Sequence, residues 1–172
     1  MARQELDRII GEWNRHAENV TKLLQALPAD KYDFRPDEGG RSLGELAWHL
    51  AEVDAYMTDG IAKGGFNSPH KPPGIERPRE IAALAPGFDR VHKEAVARLA
   101  ALSDADLDRT VPFFDGRPMA IRHILTQALV SHSIHHAGQL TLMCRLAGGT
   151  PPGAYGPNRE ATLAMRAARQ NA

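Results

Sequence analysis

The chain has 172 residues, 42% of them hydrophobic, with 21 basic side chains against 21 acidic ones, a single cysteine and eight histidines. A length near 150 predicts one domain, 1–172, with its core over about residues 3–150 and a tail from 151, large enough to fold on burial alone. One cysteine excludes an intramolecular disulfide framework, zero net charge removes the basic excess that phosphate binding needs, and no run approaches the roughly 18 apolar residues of a membrane span. The opening residues MARQELDRII lack the apolar centre of a signal peptide. The expected setting is therefore cytoplasmic, with neither nucleic acid nor membrane as partner.

In chain order, Leu6, Ile9, Ile10, Trp13, Ala17, Val20, Leu23, Leu24 and Leu27 recur at steps of three and four, one face of an amphipathic first helix that ends at Pro28. After a loop containing Pro36, Gly39 and Gly40, Ser42 and Glu45 have the form of a capping box. They open a second helix with the stripe Leu43, Leu46, Ala47, Leu50, Val53, Met57 and Ile61. Between Gly64 and Pro78 the glycines and prolines exclude both helix and strand, which predicts one long loop. A short turn over Arg79–Leu84 precedes a third helix marked by Phe88, Val91, Ala95, Val96, Leu99 and Leu102. Thr110–Phe114 followed by Asp115-Gly116 reads as a short extended piece with a tight turn. A fourth helix runs from about Met119 to Ala147, and Asn158 is placed to cap a short fifth. Trp13, Trp48 and Phe88 are assigned to the core. With no repeat and no series of alternating strands, the pattern predicts an all-α protein, a single antiparallel four-helix bundle.

The histidines are not scattered evenly. At about 100° per residue from Ile121, the fourth helix puts Ile124, Leu125, Ala128, Met143 and Leu146 on one buried arc. His132 at about 20° and His136 at about 60° fall on that arc, one turn apart. A shared metal ion would satisfy both, because side chains at i and i+4 converge on one centre. The ordinary alternative is a pair of hydrogen-bonded core histidines. His49, at the border of the second helix's stripe, offers a third ligand from a facing helix. His135, at about 320°, competes for the same role. His16, His70, His92 and His123 are given structural or solvated roles. Gln139, at 0°, is expected to be buried and to orient a ligand. Cys144 lies about 12 Å beyond His136 along the helix, too far for a fourth ligand.

His49 in SLGELAWHLAE, preceded by LPADKYDFRPDEGGRS, together with HSIHHAGQLTLMCRLAGGTPP, resembles the two signature regions of the DinB superfamily, which also contains YfiT-like thiol transferases. The resemblance runs from the first helix to about Pro152. It implies an up-down-down-up four-helix bundle, often a homodimer, with a divalent metal, zinc or nickel, on three histidines. Carried over by position these are His49, His132 and His136, because the last ligand stands two residues before Gly138-Gln139.

Three neutral nitrogen ligands leave a position for water or thiol, whose proton the ion would help to remove. The family's activities imply transfer assisted by a low-molecular-weight thiol and acting on a small-molecule substrate. Two alternatives stand beside this: a metal-dependent hydrolase, and a non-catalytic, metal-stabilised dimeric bundle of stress response. Ser133 occupies the position where an HExxH protease has its glutamate, which argues against that mechanism. Glu52 is the candidate general base. Arg35, Arg41, Arg117 and Arg122 flank the ends of the ligand-bearing helices, where a thiol's carboxylates could dock.

Overall fold

The computed structural model describes residues 2–66 and 71–170. Its elements are α1 (Gln4–Gln25), α2 (Leu43–Lys63), α3 (Ile81–Arg98), a 3-10 turn (Asp104–Asp106), the strands β1 (Thr110–Pro112) and β2 (Pro118–Ala120), α4 (Ile121–His123), a π-helical segment (Ile124–Ser131), α5 (His132–Leu146) and α6 (Arg159–Gln170). The protein is thus mostly helical with a small two-stranded sheet, which corrects the expectation of a purely α chain. That sheet is antiparallel, Val111 opposite Met119, and its turn is closed by Gly116 at φ 77°.

Local chemistry explains the boundaries. Ser42 and Glu45 form the expected reciprocal cap, with Glu45 N–H donating to Ser42 Oγ and Ser42 N–H donating to Glu45 Oε2 at 2.8 Å. α2 ends on Gly64, whose φ of 77° is the left-handed closure that favours glycine. α3 begins at Ile81, so the short turn expected over Arg79–Leu84 is its first turn and Pro86 lies inside the helix. The hydrogen bond that Pro86 cannot make would have gone to Ala82, whose side of the helix faces solvent. Asn158 caps α6, accepting from Ala161 N–H at 2.9 Å.

α3 packs on both α1 and α2, and the run from 121 to 146 packs on the same two helices. The apolar interior falls into two clusters. One gathers Ala17–Leu27 of α1 and its continuation, Trp48, Phe88 and Leu140. The other gathers Leu6, Ile9 and Trp13, Ile61, Ala95 and Leu125. Trp13, Trp48 and Phe88 are all core residues, as expected. Where the clusters meet, each helix contributes polar side chains: Asn14 and His16 from α1, Asp54 from α2, His92 from α3, and His132, Ser133 and His136 from α5. The candidate site lies at this level.

The fourth run is not one uniform helix. In the π segment the backbone turns are wider, so each residue advances by a smaller angle than in an α-helix. Ser131 Oγ donates to the carbonyl of Thr126, five residues back, at 2.9 Å. A wheel drawn at constant pitch therefore loses register across 124–131. Beyond it, Ser133, His136, Leu140, Met143 and Cys144 face inward. Leu146 and Gln139, both placed on the buried arc by the uniform wheel, are exposed.

Candidate metal centre

α2 and α5 bring His49, His132 and His136 together, with one ring nitrogen of each lying within 4.8 Å of the others. The Nε2 atoms of His132 and His136 are 3.0 Å apart. Two nitrogens bound at about 2.0–2.1 Å to one ion are separated by about 2.8–3.4 Å for angles between square and tetrahedral, so this pair fits a shared cation. In two of the three rings the second nitrogen is held elsewhere. His49 Nδ1–H donates to Glu52 Oε2 at 3.3 Å, and His136 Nδ1–H donates to Gln139 Oε1 at 2.7 Å. Such bonds fix the tautomer that leaves Nε2 with its lone pair facing the centre.

The electrostatics agree. Burial, helped by the neighbouring His49 and His135, lowers the His132 pKa. Burial also brings His136 down to about 4, against the raising effect of its bond to Gln139. Both rings are therefore neutral near pH 7, the form that binds a metal. Burial would raise the Glu52 carboxyl, but hydrogen bonds from His49 and Arg77 outweigh it and the net shift is downward. Arg77 Nη2 donates to Glu52 Oε1 at 2.9 Å, so both carboxylate oxygens are engaged. A carboxylate so held orients His49 and is a poor proton acceptor, which removes the reason for assigning Glu52 as general base.

The remaining candidates separate clearly. His135 is exposed, with its ring centre 5.2 Å from that of His136, and its nitrogens are not in the convergent set. Among the described residues no cysteine or carboxylate joins the three histidines. Cys144 is buried on another side of α5, its Sγ 3.5 Å from the Ala26 carbonyl. Gln139 makes its bond to His136 from an exposed position, not the buried one expected. His123 is exposed and His70 lies outside the described residues. Of the four arginines, Arg122 pairs with Asp108 and Glu5, Arg35 pairs with Glu45, and Arg117 sits beside Asp115 at the hairpin tip. Only Arg41 borders the histidines, where it lines cavities on both sides of them.

His16 and His92 are deeply buried, a placement the sequence did not show for His16. His16 Nε2 lies 3.0 Å from Ser133 Oγ and its Nδ1 lies 2.6 Å from the Tyr155 hydroxyl. Burial lowers its pKa to about 4. His92 Nδ1–H donates to Asp54 Oδ2 at 2.8 Å, while Asp54 Oδ1 accepts from Trp13 Nε1 at 3.2 Å. Because Ser133 lies between the two α5 ligands in sequence, its bond to His16 fixes the rotation of α5 that turns His132 and His136 toward α2. The only sequence signal for this contact is a polar residue three after Trp13 and four before Val20, at the spacing of the apolar stripe.

Residues 12–140 match the profile of the DinB superfamily. The chain belongs to the DinB superfamily. It is 29% identical over 160 residues to an uncharacterized Bacillus subtilis (strain 168) protein, YrdA, spanning 91% of this chain and 92% of that one. A second protein of the same strain, YjoA, is 27% identical over 146 residues, 84% of this chain and 92% of its own. A crystal structure of a DinB-like protein from Bacillus cereus ATCC 10987 superposes with a TM-score of 0.71 at 29% identity, covering 86% of this chain and 95% of that one. This DinB chain therefore carries its histidine set on the fold that its relatives share. No helix among the described residues is long and apolar enough to cross a membrane.

Proposed function

We propose that this protein is a metal-dependent transferase that uses a low-molecular-weight thiol, with a divalent ion, zinc or nickel, held by Nε2 of His49, His132 and His136. The observation that carries the reading is the convergence of three imidazoles, two of which, His49 and His136, have their other nitrogen tied to Glu52 and Gln139. The ring of pairwise packing through α1, α3, α2 and the fourth run supports the up-down-down-up bundle of the family.

Bound there, the ion would supply a lowered pKa to a thiol or water in its remaining position. The chain's own residues do the rest. Glu52 and Gln139 hold the ligand rings, Arg77 holds Glu52, and the aromatic hairpin residues Phe113 and Phe114 wall off a cavity beside His49 and His132. Arg41 presents a positive charge at its rim. A second reading, a non-catalytic metal-stabilised homodimer, is favoured by one feature: Leu142, Leu146, Leu163 and Met165 are exposed on α5 and α6.

A panel of thiols and electrophiles, assayed on metal-stripped protein before and after adding zinc or nickel, separates these. Metal-dependent consumption of a thiol and its electrophile together supports the transferase. No turnover with any pair, alongside metal-raised thermal stability, supports the structural dimer.

A further inference from the structure

The cavity beside His49 and His132 has a volume of about 560 Å³, within the range of small-molecule sites. Its floor is Val53 and Met57 of α2, and its outer wall is Phe113 and Phe114 from the hairpin. Phe114 stays 57% exposed in spite of its size. Its ring centre lies 4.8 Å from that of Phe113 and 5.0 Å from that of Phe66, so an open aromatic face is held in place by packing. Gly60 makes room for this cluster, since a Cβ there would lie 2.4 Å from the Phe66 ring. Flat apolar groups stack on such a surface.

The charges on the same cavity are unequal. Glu52 is paired with Arg77 and also accepts from His49 Nδ1–H. Arg35 and Arg77 both pair with Glu45. Arg41, in contrast, makes no ion pair among the described residues and stands at the cavity's edge beside the histidines. One uncompensated guanidinium next to a preformed apolar wall calls for one negative charge on an apolar body. A guanidinium matches the two oxygens of a carboxylate in shape, and a dianion would leave its second charge without a cationic partner in the cavity lining.

We infer that this cavity binds a monoanionic carboxylate with an aromatic or other flat apolar body, its carboxylate on Arg41 and its body against Phe113 and Phe114. The inference rests on the proposed metal centre only for the chemistry at the ligand's reacting end. Binding of the body and the carboxylate uses Arg41 and the aromatic wall, whether or not the histidines hold an ion.

The test is isothermal titration calorimetry on metal-stripped, full-length protein with 4-phenylbutanoate, the neutral 4-phenylbutan-1-ol, acetate and phenyl phosphate. The expected result is that 4-phenylbutanoate binds about tenfold or more tightly than the alcohol, acetate and phenyl phosphate, and that Arg41→Gln removes the advantage over the alcohol. Phe114→Ala should weaken the carboxylate and the alcohol alike, by about threefold to tenfold. Because Arg41 also borders the second cavity, it is the Phe114→Ala result that assigns the ligand to this side. Both residues are exposed, and thermal melts like wild type would verify that the variants are folded. Equal affinity for carboxylate and alcohol, a preference for phenyl phosphate, no effect of either substitution, or no heat at millimolar ligand would each overturn the inference. A zinc titration without ligand reports separately on the metal. Protein that takes no zinc but still binds 4-phenylbutanoate through Arg41 overturns the metal centre and upholds the carboxylate site.

Discussion

Two sets of histidines lie at nearly the same level of this fold and are built in opposite ways. His16 and His92 are 3% and 8% exposed, yet each ring nitrogen already has a partner: Ser133 and Tyr155 for one, Asp54 and Asn14 for the other. His49, His132 and His136 are less enclosed as a set, and each turns a nitrogen toward the others. Burial alone therefore does not mark a ligand. What marks it is a nitrogen whose nearest polar neighbours are other imidazoles; in His49 and His136 the opposite nitrogen is also fixed, by a carboxylate and an amide. The first set ties helices together; the second leaves binding capacity facing a cavity.

The contrast can be broken most forcefully at Asp54. Asp54→Ala would leave His92 and the Trp13 N–H without their buried partner, and removing one member of such a pair costs about 3–5 kcal/mol. The thermal midpoint should fall by about 6–20 °C, at roughly 2–4 °C per kcal/mol for a chain of this size, while zinc stoichiometry stays that of wild type. On the ligand side, Glu52→Gln and Gln139→Ala should each weaken zinc binding by about 10–100-fold, read by competition with a chromophoric chelator, with melting of the metal-free protein little changed.

Ser133→Ala sharpens the comparison because it touches both sets. It leaves His16 Nε2 unpartnered at a cost of about 1–3 kcal/mol, and by loosening the rotation of α5 it should also weaken zinc binding, by a smaller factor than Gln139→Ala does. The last effect is one of pH. His16 titrates near 4 in the folded protein and near 6.5 unfolded, so the unfolded chain binds a proton first. Above pH 6.5 this residue adds no pH dependence; stability falls as pH drops from about 6.5 to about 4 and then levels. Metal-free His16→Gln should melt a few degrees lower at pH 7.5 but lose less than wild type on going to pH 4.5.

Much of this was legible in the residues themselves. The α1 stripe, the Ser42–Glu45 cap, the tight turn at Asp115-Gly116 and the Asn158 cap follow from spacing and side-chain chemistry within a few residues. The facing of the fourth run did not, because a uniform wheel assumes a constant pitch. Crossing the wider turns of 124–131 rotates everything after it, which brings Ser133 and Cys144 inward, sends Gln139 and Leu146 outward, and moves His135 away from the centre. The spacing between His132 and His136 survived because both lie beyond the π segment, on regular α-helix. The depth of His16 is not legible for a different reason. Its partners, Ser133 and Tyr155, are more than a hundred residues away, and periodicity carries no information about contacts at that separation.

The most direct test of the central claim is metal stoichiometry, by calorimetric titration and elemental analysis, across single histidine variants. One zinc or nickel ion per chain is predicted for wild type, His135→Ala and His16→Gln, and none above background for His49→Ala, His132→Ala or His136→Ala. Stoichiometric metal retained by all three of those variants, or lost in His135→Ala alone, would contradict the account.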